Sequence, residues 1–546
     1  MSHPNPSTAL ARVIVDEMAR NGVPLVVISP GSRSAALAIA AAEHPEVDTR
    51  VIIDERSAAF HALGVARATG RAVAVMSTSG TAPANYYPAV VEADMACLPL
   101  VVISADRPAE MRGVGANQTI DQVELYGRKV RRFTEIAAPD SSSDLNLEWR
   151  TAVSGALGAA VDDHRPGPVH LNVSFREPTV PLTDDGRTRG EAYTFDTPRV
   201  ETTHTRPDET ADPLPVLDGG RGLVIAGDGV YDRMGLLKRA GALGWPVLAT
   251  ALSGMRGEDV ISTYHHLLAH GVPSGLVPEV VVAVGAIGPS ERLETLIGTA
   301  GTRVRIDHWG RLIDPGRNAQ HIIRGDVTDL LERVGGAADG RWWGVWRQAD
   351  RDCREELRAK IGAHGSMTGA SVAEAMNELA WGSLVVSSSL PIREIDAHLS
   401  RPGPVFANRG ASGIDGLVST ALGVASVIPG TLAVTGDLAL LHDSNGFLGE
   451  TEIDLCIVVI DNDGGGLFDA LPQAAHAPQY ERLFVTPPAR DLAKLAAFHG
   501  LAFSTVSDRV ALADAAGEAL DRGGLSLIRV PVNRALDRRL RAQLGD

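Results

Sequence analysis

Short apolar runs alternate with alanine-rich stretches from the start of the chain. In the first third, the apolar runs lie at 25–29, 51–53, 72–76 and 99–104, and the stretches between them lie at 34–42, 58–69 and 82–96. Uninterrupted apolar runs of this length are typical of buried parallel strands, and the longer stretches predict the helices that connect them. This part of the chain is therefore predicted to be an α/β domain.

The same alternation occurs twice more along the chain. Apolar runs at 223–226, 246–249, 280–284 and 303–306 predict a second α/β region, and runs at 384–387, 432–434 and 455–460 predict a third. Segment 177–220, rich in Pro, Thr, Asp and Gly, is predicted to be a linker. The predicted fold class is α/β, with three doubly wound parallel-sheet domains at 1–180, 200–340 and 366–546.

The two outer regions share a plan. Segments 72–107 and 431–463 each run from a strand through a polar turn and a helix to a second strand and a charged loop. Two related domains that flank a third explain this similarity, and a chance likeness between strand–helix–strand units remains the alternative.

Composition narrows the classes of function. The chain has 546 residues, a hydrophobic content of 44% and a formal net charge of −16. This charge argues against nucleic acid as a partner, and no apolar run approaches the roughly 18 residues of a membrane span. The N-terminal segment lacks the basic and apolar parts of an export signal, so a cytoplasmic location is expected. Cys97, Cys353 and Cys456 are widely spaced, which predicts thiols in a reducing compartment.

Two strands of the third region are followed by residues suited to a metal. The sequence Thr-Gly-Asp-Leu occupies 435–438, and Asp-Asn-Asp-Gly-Gly-Gly occupies 461–466. The carboxyl ends of neighbouring parallel strands meet at the edge where open α/β sheets bind ligands. Asp437 and Asn462 supply hard oxygen donors, and the glycines let backbone carbonyls approach, which suits Mg²⁺ holding a diphosphate. A glycine-rich loop without a ligand is the alternative.

This spacing resembles the metal–diphosphate motif of thiamine diphosphate (ThDP) enzymes, usually Gly-Asp-Gly followed by Asn-Asn, from which Leu438 and Asp461 depart. Segment 54–108, with Thr-Ser-Gly-Thr at 78–81, resembles the pyrimidine-binding domain of the same superfamily. The resemblance implies that Glu55 hydrogen-bonds the pyrimidine ring and promotes its imino form. An acidic pair that interacts with the helix macrodipole is the alternative.

Arginines and amides follow several of the predicted strands. They are Arg33, Arg107, Arg393 and Arg409, with Asn117 and Gln118. A sheltered bidentate arginine–carboxylate contact contributes about 1.5–3 kcal/mol, so such a set could bind small polycarboxylates to a negatively charged protein. For any single arginine, a surface or salt-bridged position is the alternative.

Six segments together resemble the 2-succinyl-5-enolpyruvyl-6-hydroxy-3-cyclohexene-1-carboxylate synthase family, and the similarity is dense over about 8–178 and 366–490. The segments are 29–34, 104–108, 115–118, 388–393, 408–416 and 466–471. The resemblance implies a menaquinone-biosynthesis enzyme that decarboxylates 2-oxoglutarate with ThDP and adds the succinyl carbanion to isochorismate. It implies Mg²⁺, with Mn²⁺ as a substitute, and a pyrimidine-binding first domain and a diphosphate-binding third domain. It also implies a homodimer or homotetramer with the cofactor between the first domain of one subunit and the third domain of another.

The same resemblance assigns roles to individual residues. Metal ligands would be Asp437, Asn462 and the Gly464 carbonyl; the cofactor would also contact Glu55, Ser389, Leu467, Phe468 and Ile414, the last as an apolar wedge. Substrate-binding positions would be Ser32, Arg33, Arg107, Asn117, Gln118, Arg292, Ser389, Arg393, Arg409, Leu467, Phe468 and Leu471, and Glu55, Gln118 and the arginines other than Arg292 would be catalytic. Arg292 is the single match to a basic pair of the family.

Two other functions remain open from the sequence. One is another ThDP-dependent carboligase or decarboxylase that acts on pyruvate or a related 2-oxo acid, which segments 29–34 and 408–416 argue against. The other is a non-catalytic subunit with the same fold, which is expected to lack Glu55 or the metal ligands. A test of 2-oxo acids separates the first, and cofactor-dependent release of carbon dioxide separates the second.

Overall fold

The computed structural model describes residues 5–139, 146–180, 215–449, 452–475 and 478–545. Within these residues the strands form sheets of six, five, two and six strands. All of the strand pairs in the four sheets are parallel. The predicted α/β fold with three parallel sheets is confirmed.

The chain divides into two compact units. The first consists of Met1–Arg206, Asn408–Ile428 and His442–Ile453, and the second consists of Pro207–Ala407, Pro429–Leu441 and Asp454–Asp546. The first sheet lies in the first unit, and the other sheets lie in the second.

The first sheet has the strand order β2-β1-β3-β4-β6-β5. Its strands are β1 (Leu25–Ile28), β2 (Asp48–Val51), β3 (Val73–Ser77), β4 (Leu100–Asp106), β5 (Phe133–Ile136) and β6 (Val169–Ser174). The helices are α1 (Pro6–Arg20), α2 (Ala35–Glu43), α3 (Glu55–Thr69), α4 (Thr81–Asn85), α5 (Tyr87–Ala96) and α6 (Asn146–Ala160). Successive side chains of β1 enter two different hydrophobic cores, one on each face of the sheet.

Two sequence predictions in this sheet need correction. The strand predicted at 51–53 is β2, which ends at Val51 and lies at the sheet edge; Val51 is 50% exposed and Ile53 is 65% exposed. An edge strand has a neighbour on one side only, so apolar residues here do not imply burial. The helix predicted at 82–96 is two helices, and Pro88, which has no N–H to donate, lies in the first turn of the second.

The second sheet has the order β12-β11-β10-β8-β9, and β13 pairs with β7. The strands are β7 (Leu217–Asp218), β8 (Gly222–Ala226), β9 (Val247–Ala249), β10 (Val280–Val284), β11 (Thr302–Asp307), β12 (His321–Arg324) and β13 (Val334–Gly335). The helices are α7 (Arg233–Ala242), α8 (Tyr264–Leu267), α9 (Glu291–Thr299), α10 (Val327–Leu331) and α11 (Arg341–Ala363). Most of the predicted linker, 181–214, lies outside the described residues.

The third large sheet has the order β15-β14-β16-β17-β19-β18, which repeats the order of the first. Its strands are β14 (Ser383–Val386), β15 (Val405–Phe406), β16 (Thr431–Gly436), β17 (Leu455–Asp461), β18 (Ala502–Thr505) and β19 (Leu525–Pro531). The remaining helices are α12 (Gly369–Ala375), α13 (Leu390–His398), α14 (Leu417–Ala425), α15 (Asp437–His442), α16 (Leu492–Phe498), α17 (Arg509–Arg522) and α18 (Arg534–Leu544). None of the helices in the described ranges is long and apolar enough to cross a membrane.

Candidate active site

The turn after β1 places Arg33 at the carboxyl edge of the first sheet. A Cβ atom at Gly31 would lie 2.2 Å from the Cβ of Thr78, so this close approach of the turn to the end of β3 requires glycine. The backbone N–H of Arg33 donates to Thr78 Oγ1 at 3.3 Å, and its guanidinium donates to the Phe175 carbonyl at 3.1 Å. The guanidinium also lies 3.1 Å from the Glu177 carboxylate. These contacts fix the arginine beside the end of β3.

Arg107, which follows β4, lies in the same part of the first unit. Its guanidinium donates to the Ser79 hydroxyl and, at 2.7 Å, to the Gln118 carbonyl. Gln118 has a φ of +53° and donates from its side chain to the Ser79 carbonyl at 3.0 Å. Burial lowers the pKa of Arg107, and the nearby positive charge of Arg33 lowers it further. The structure thus brings these two predicted arginines together with Gln118.

A chain of buried polar side chains lies behind Arg107 and was missed by sequence reasoning. Gln122 accepts from the Gly80 N–H at 3.0 Å and donates to Asn172 at 2.9 Å; Asn172 donates to Asp106 at 3.0 Å. Asp106 in turn accepts from the Arg107 N–H at 2.7 Å. All three side chains are 0% exposed. Buried amides and carboxylates need partners, so this network restrains the loops on either side of Arg107.

Glu55 is the first residue of α3. The preceding residue, Asp54, caps the helix by accepting from the Ser57 N–H at 2.9 Å, and it also accepts from the Asn445 amide at 2.9 Å. Glu55 is partly buried. Burial raises the pKa of the Tyr86 phenol, and the nearby Glu55 carboxylate adds to that increase. Glu55 therefore has a defined backbone position at the start of α3, and the Tyr86 phenol lies near it.

Helices α3 and α14 pack closely in the first unit. A Cβ atom at Gly64 would lie 2.3 Å from the Thr420 carbonyl, and one at Gly423 would lie 2.2 Å from the His61 carbonyl. Small residues at both positions let the two helix backbones approach. This packing brings the loop at 408–416, which precedes α14, to the same unit as the helix that begins with the candidate acid.

The third sheet carries the candidate metal site at its carboxyl edge. The Asp437 carboxylate accepts from the N–H of the following residue and from the Gly464 N–H, both at 2.7 Å. Asp437 is 2% exposed and Asn462 is 8% exposed. Burial raises the pKa of Asp437 to about 6, and the carboxylates of Asp461 and Asp463 add to the effect. A cation at this position would relieve the cost of the buried charge.

The glycines of this loop are required by the packing. Gly464 has a φ of +115°, and a Cβ atom there would lie 2.2 Å from the Val485 carbonyl. A Cβ atom at Gly466 would lie 2.5 Å from the Asn462 amide. Among the described residues there is no cluster of three or more His, Cys, Asp or Glu side chains suited to a metal. One carboxylate, one amide and one carbonyl nevertheless fit Mg²⁺, which commonly completes its shell with phosphate oxygens and water.

The two acidic residues that flank Asn462 have different environments. Asp461 accepts a charge-assisted hydrogen bond from Arg529, which offsets its charge. Asp463 is exposed and has a φ of +57°. Both carboxylates act on Asp437, Asp461 more strongly than the solvent-screened Asp463.

The other predicted site residues occupy several positions. Ser389 has a φ of +77° and precedes α13, and its carbonyl accepts from Arg393. The guanidinium of Arg292 donates to the carbonyls of His265, at 2.6 Å, and Gly545. Leu467 and Phe468 are partly buried in a 3₁₀ turn, and Leu471, which follows it, is 39% exposed. Arg409 and Ile414 are partly buried. Ser32 and Asn117 lie in surface turns.

The sheet topology and the two strand-end sites define a class of protein, and comparison with known families agrees. Residues 8–125 match the thiamine pyrophosphate enzyme, N-terminal TPP binding domain, and residues 395–530 match the thiamine pyrophosphate enzyme, C-terminal TPP binding domain. The chain is thus a thiamine pyrophosphate enzyme by fold and domain content.

Full-length relatives narrow the class to one family. The chain is 41% identical to a 2-succinyl-5-enolpyruvyl-6-hydroxy-3-cyclohexene-1-carboxylate synthase of Thermobifida fusca, over 99% of each chain. A synthase of the same name from Saccharopolyspora erythraea is 41% identical, over 97% of this chain and 96% of the relative. One from Halorubrum lacusprofundi is 36% identical, over 95% and 92%. The chain belongs to the 2-succinyl-5-enolpyruvyl-6-hydroxy-3-cyclohexene-1-carboxylate synthase family, which confirms the resemblance stated from its motifs.

Proposed function

We propose that this protein decarboxylates 2-oxoglutarate and joins the remaining four-carbon unit to isochorismate by conjugate addition. The products are 2-succinyl-5-enolpyruvyl-6-hydroxy-3-cyclohexene-1-carboxylate and carbon dioxide, and the reaction is a step of menaquinone biosynthesis. The observation that carries the proposal is the pair of neighbouring arginines, the partly buried Arg33 and the buried Arg107, at the carboxyl edge of a sheet in a thiamine pyrophosphate enzyme.

The arginines bind and orient the carboxylates of the two acids. Arg107 already donates to Ser79 and Gln118, so its guanidinium loses little conformational freedom when it binds an anion. Each sheltered contact with a carboxylate contributes about 1.5–3 kcal/mol. Arg393 and Arg409 are proposed to bind further carboxylate groups, because the two substrates carry several.

Asp437, Asn462 and the Gly464 carbonyl are proposed to hold Mg²⁺, or Mn²⁺ in its place, and through it the diphosphate. The raised pKa of Asp437 supports this assignment, because a divalent cation stabilises the ionised form that burial disfavours. Ile414 is proposed to contact the cofactor as an apolar wedge. When bound, thiamine diphosphate supplies the electron sink for the bond that breaks as carbon dioxide leaves.

Glu55 is proposed to exchange a proton with the pyrimidine ring of the cofactor. Its place in the first turn of α3 fixes the carboxylate, and Asp54, as the N-cap residue, fixes the start of the helix. Leu467, Phe468 and Leu471 are proposed to exclude water from the reacting carbon, so that it adds to isochorismate before it is protonated.

The assembly is proposed to be a homodimer or homotetramer in the cytoplasm. Several apolar side chains of the first unit are exposed in the single chain, among them Val51 at 50%, Ile53 at 65%, Met95 at 49% and Val114 at 71%. These exposed apolar side chains are the observation that supports burial against another copy. Analytical ultracentrifugation of the active enzyme tests this, and a fully active monomer would contradict it.

The decisive experiment follows the absorbance of isochorismate after addition of protein, ThDP, Mg²⁺ and 2-oxoglutarate, with each component omitted in turn. Loss of absorbance that requires every component supports the proposed reaction. Carbon dioxide released from 2-oxoglutarate without loss of isochorismate would indicate a different acceptor. Arg393→Ala and Arg409→Ala should each raise the KM for one of the two acids.

A further inference from the structure

A buried glutamate of α5 binds the loop that carries Arg409 and Ile414. The two oxygens of the Glu92 carboxylate accept from consecutive backbone N–H groups, from Gly410 at 2.8 Å and from Ala411 at 2.6 Å. Glu92 is 2% exposed. One carboxylate thus binds two adjacent amides of a loop that is distant in sequence.

The charge of Glu92 is compensated from α3. The Arg67 guanidinium donates to the Glu92 carboxylate at 2.9 Å, and the side chain of Arg67 is 8% exposed. A buried carboxylate is costly without a partner, and here the arginine and the two amides together supply its partners. Helix α3 begins with Glu55, so the same helix carries the candidate acid and the partner of Glu92.

The backbone of the loop lies directly on α5. A Cβ atom at Gly410 would lie 2.9 Å from both the Glu92 carbonyl and the Met95 Cβ. Downstream, Ser412 has a φ of +63°, and Gly416 has a φ of +69° and would place a Cβ atom 2.0 Å from the ring of Phe60. The loop therefore has one defined path between α5 and the start of α14.

Glu92 binds the amides immediately after Arg409 and shortly before Ile414. Displacement of the Gly410 N–H by a fraction of an ångström moves the Cα of Arg409, because the two residues share a peptide bond. A guanidinium that must meet a carboxylate in a bidentate geometry tolerates little displacement.

We propose that Glu92, supported by Arg67, is a positioning residue that sets the placement of Arg409 and Ile414 for the reaction. This inference rests on the proposed function, which gives those two residues their roles. Glu92 itself touches neither substrate nor cofactor, and it acts through the two amides.

The chain offers a matched control for the burial of an ionised glutamate. Glu17 of α1 is 1% exposed and accepts from Arg150 at 2.6 Å, from Ser154 at 2.6 Å and from Asn21 at 3.0 Å. Its partners are two side chains of α6 and that of Asn21, which follows α1, and none of them belongs to a loop that carries the candidate site. Glu17→Gln therefore removes a buried Glu–Arg pair in the same unit without a change at loop 408–416.

The experiment compares Glu92→Gln and Glu17→Gln in the full-length enzyme loaded with ThDP and Mg²⁺. We expect Glu92→Gln to lower kcat/KM for isochorismate or 2-oxoglutarate by about 10-fold or more, since the NH2 group that replaces one carboxylate oxygen is a donor and would face one of the two N–H donors. Glu17→Gln should lower the melting temperature to a similar extent and change kcat/KM by less than about twofold. Equal kinetic effects of the two variants would reduce Glu92 to a structural role and overturn the proposal.

Double-mutant cycles supply a measurement that a general loss of stability does not affect. In an Arg409→Ala background, Glu92→Gln should cost clearly less than about 10-fold in kcat/KM, because one of the two groups that it positions is gone. In an Arg107→Ala background, the full loss of about 10-fold should remain. Equal losses in both backgrounds would overturn the placement of Arg409 by Glu92.

Glu92→Asp provides a second test of the proposal if Glu92→Gln folds poorly. The aspartate retains the charge opposite Arg67 but is one methylene shorter, so its oxygens withdraw from the two amides. We expect faster hydrogen exchange in peptides that contain 410–411, together with a loss of kcat/KM. Unchanged exchange and kinetics would contradict the inference. If the wild-type enzyme is active and Arg409→Ala has a normal kcat/KM, the role proposed for Arg409 is wrong. If Arg409→Ala is impaired but Glu92→Asp and Glu92→Gln both have a normal kcat/KM, only the role of Glu92 is overturned.

Discussion

The first and third sheets have the same strand order and opposite electrostatic character at their carboxyl edges. In the first sheet, β4 is followed by Arg107, whose pKa is lowered by burial and further by the nearby charge of Arg33. In the corresponding place of the third sheet, β17 is followed by Asn462, and the pKa of Asp437 is raised by burial and further by the carboxylates of Asp461 and Asp463.

The difference shows that the sheet topology determines where a site lies, and that the few residues at the strand ends determine which ligand suits it. Parallel strands of either sheet end together at one edge, which is where open α/β sheets bind ligands. In the proposed roles, the arginines and amides of the first edge bind anionic substrates, and the carboxylate, amide and glycines of the third edge hold a cation that carries a diphosphate. Each edge should therefore respond to its own set of variants.

The largest effect is expected at Glu55 of the first unit. Glu55→Gln should lower kcat by about 10²–10⁴-fold, because an amide cannot exchange a proton with the cofactor. The apparent affinity for Mg²⁺ and ThDP should stay within about threefold, since the metal ligands lie in the third sheet. Steady-state kinetics and a cofactor titration check both parts; near-normal turnover would remove Glu55 from its role.

Asp437→Asn tests the third edge. The neutral amide should weaken Mg²⁺ binding by about 100-fold, as expected for loss of a metal-directed carboxylate, and should leave the KM for isochorismate at saturating metal within a few-fold. Asp463→Asn is the matched control in the same loop, and it should change the metal affinity by less than about threefold because the residue is exposed. Activity measured against Mg²⁺ concentration gives both values, and equal effects would argue against Asp437 as the ligand.

Arg107→Ala tests the first edge. Loss of one sheltered arginine–carboxylate contact of about 1.5–3 kcal/mol should raise the KM for one acid by about 10–100-fold and leave the Mg²⁺ titration unchanged. Arg165→Ala is the control, because that arginine belongs to the same unit and its side chain is 65% exposed. A change in metal affinity for Arg107→Ala would break the separation between the two edges.

The smallest effect concerns pH. Burial lowers the pKa of His170, on β6, from its ordinary 6.5 to about 3. Between these values the unfolded chain takes up a proton that the folded chain does not, so the free energy of unfolding falls as pH decreases, by up to ~1.4 kcal/mol per pH unit. Asp437 acts in the opposite sense: its pKa rises from 3.8 to about 6, so the metal-free protein loses stability as pH increases through that window.

Melting temperatures of metal-free wild type, His170→Gln and Asp437→Asn between pH 4.5 and 7.5 test these two slopes. His170→Gln should weaken the loss of stability toward acid, and Asp437→Asn should weaken the loss toward neutral pH. Saturating Mg²⁺ should reduce the second slope and leave the first. Parallel curves for all three proteins would contradict both assignments.

Sequence reasoning was most successful where a strand is buried on both faces. The predicted runs at 280–284 and 455–460 correspond closely to Val280–Val284 and Leu455–Asp461, because a strand between two helix layers must be apolar throughout. It was right about the burial of Ile52 and wrong about that of Val51 and Ile53, since β2 is an edge strand with polar residues at its start. It also missed the edge strands β5 and β18, which have mixed exposure, and the mostly buried inner strands β6 and β19.

The sequence by itself determined which strands end in candidate site residues, because glycines, arginines and carboxylates that directly follow an apolar run can be recognised from the order of residues alone. Only the tertiary structure decided which buried polar residues support them. Glu92 meets Gly410 across 318 positions, and Gln122 meets Asn172 across 50. Buried polar groups need hydrogen-bond partners, and folding brings these partners together from distant parts of the chain. No local sequence pattern therefore predicts them.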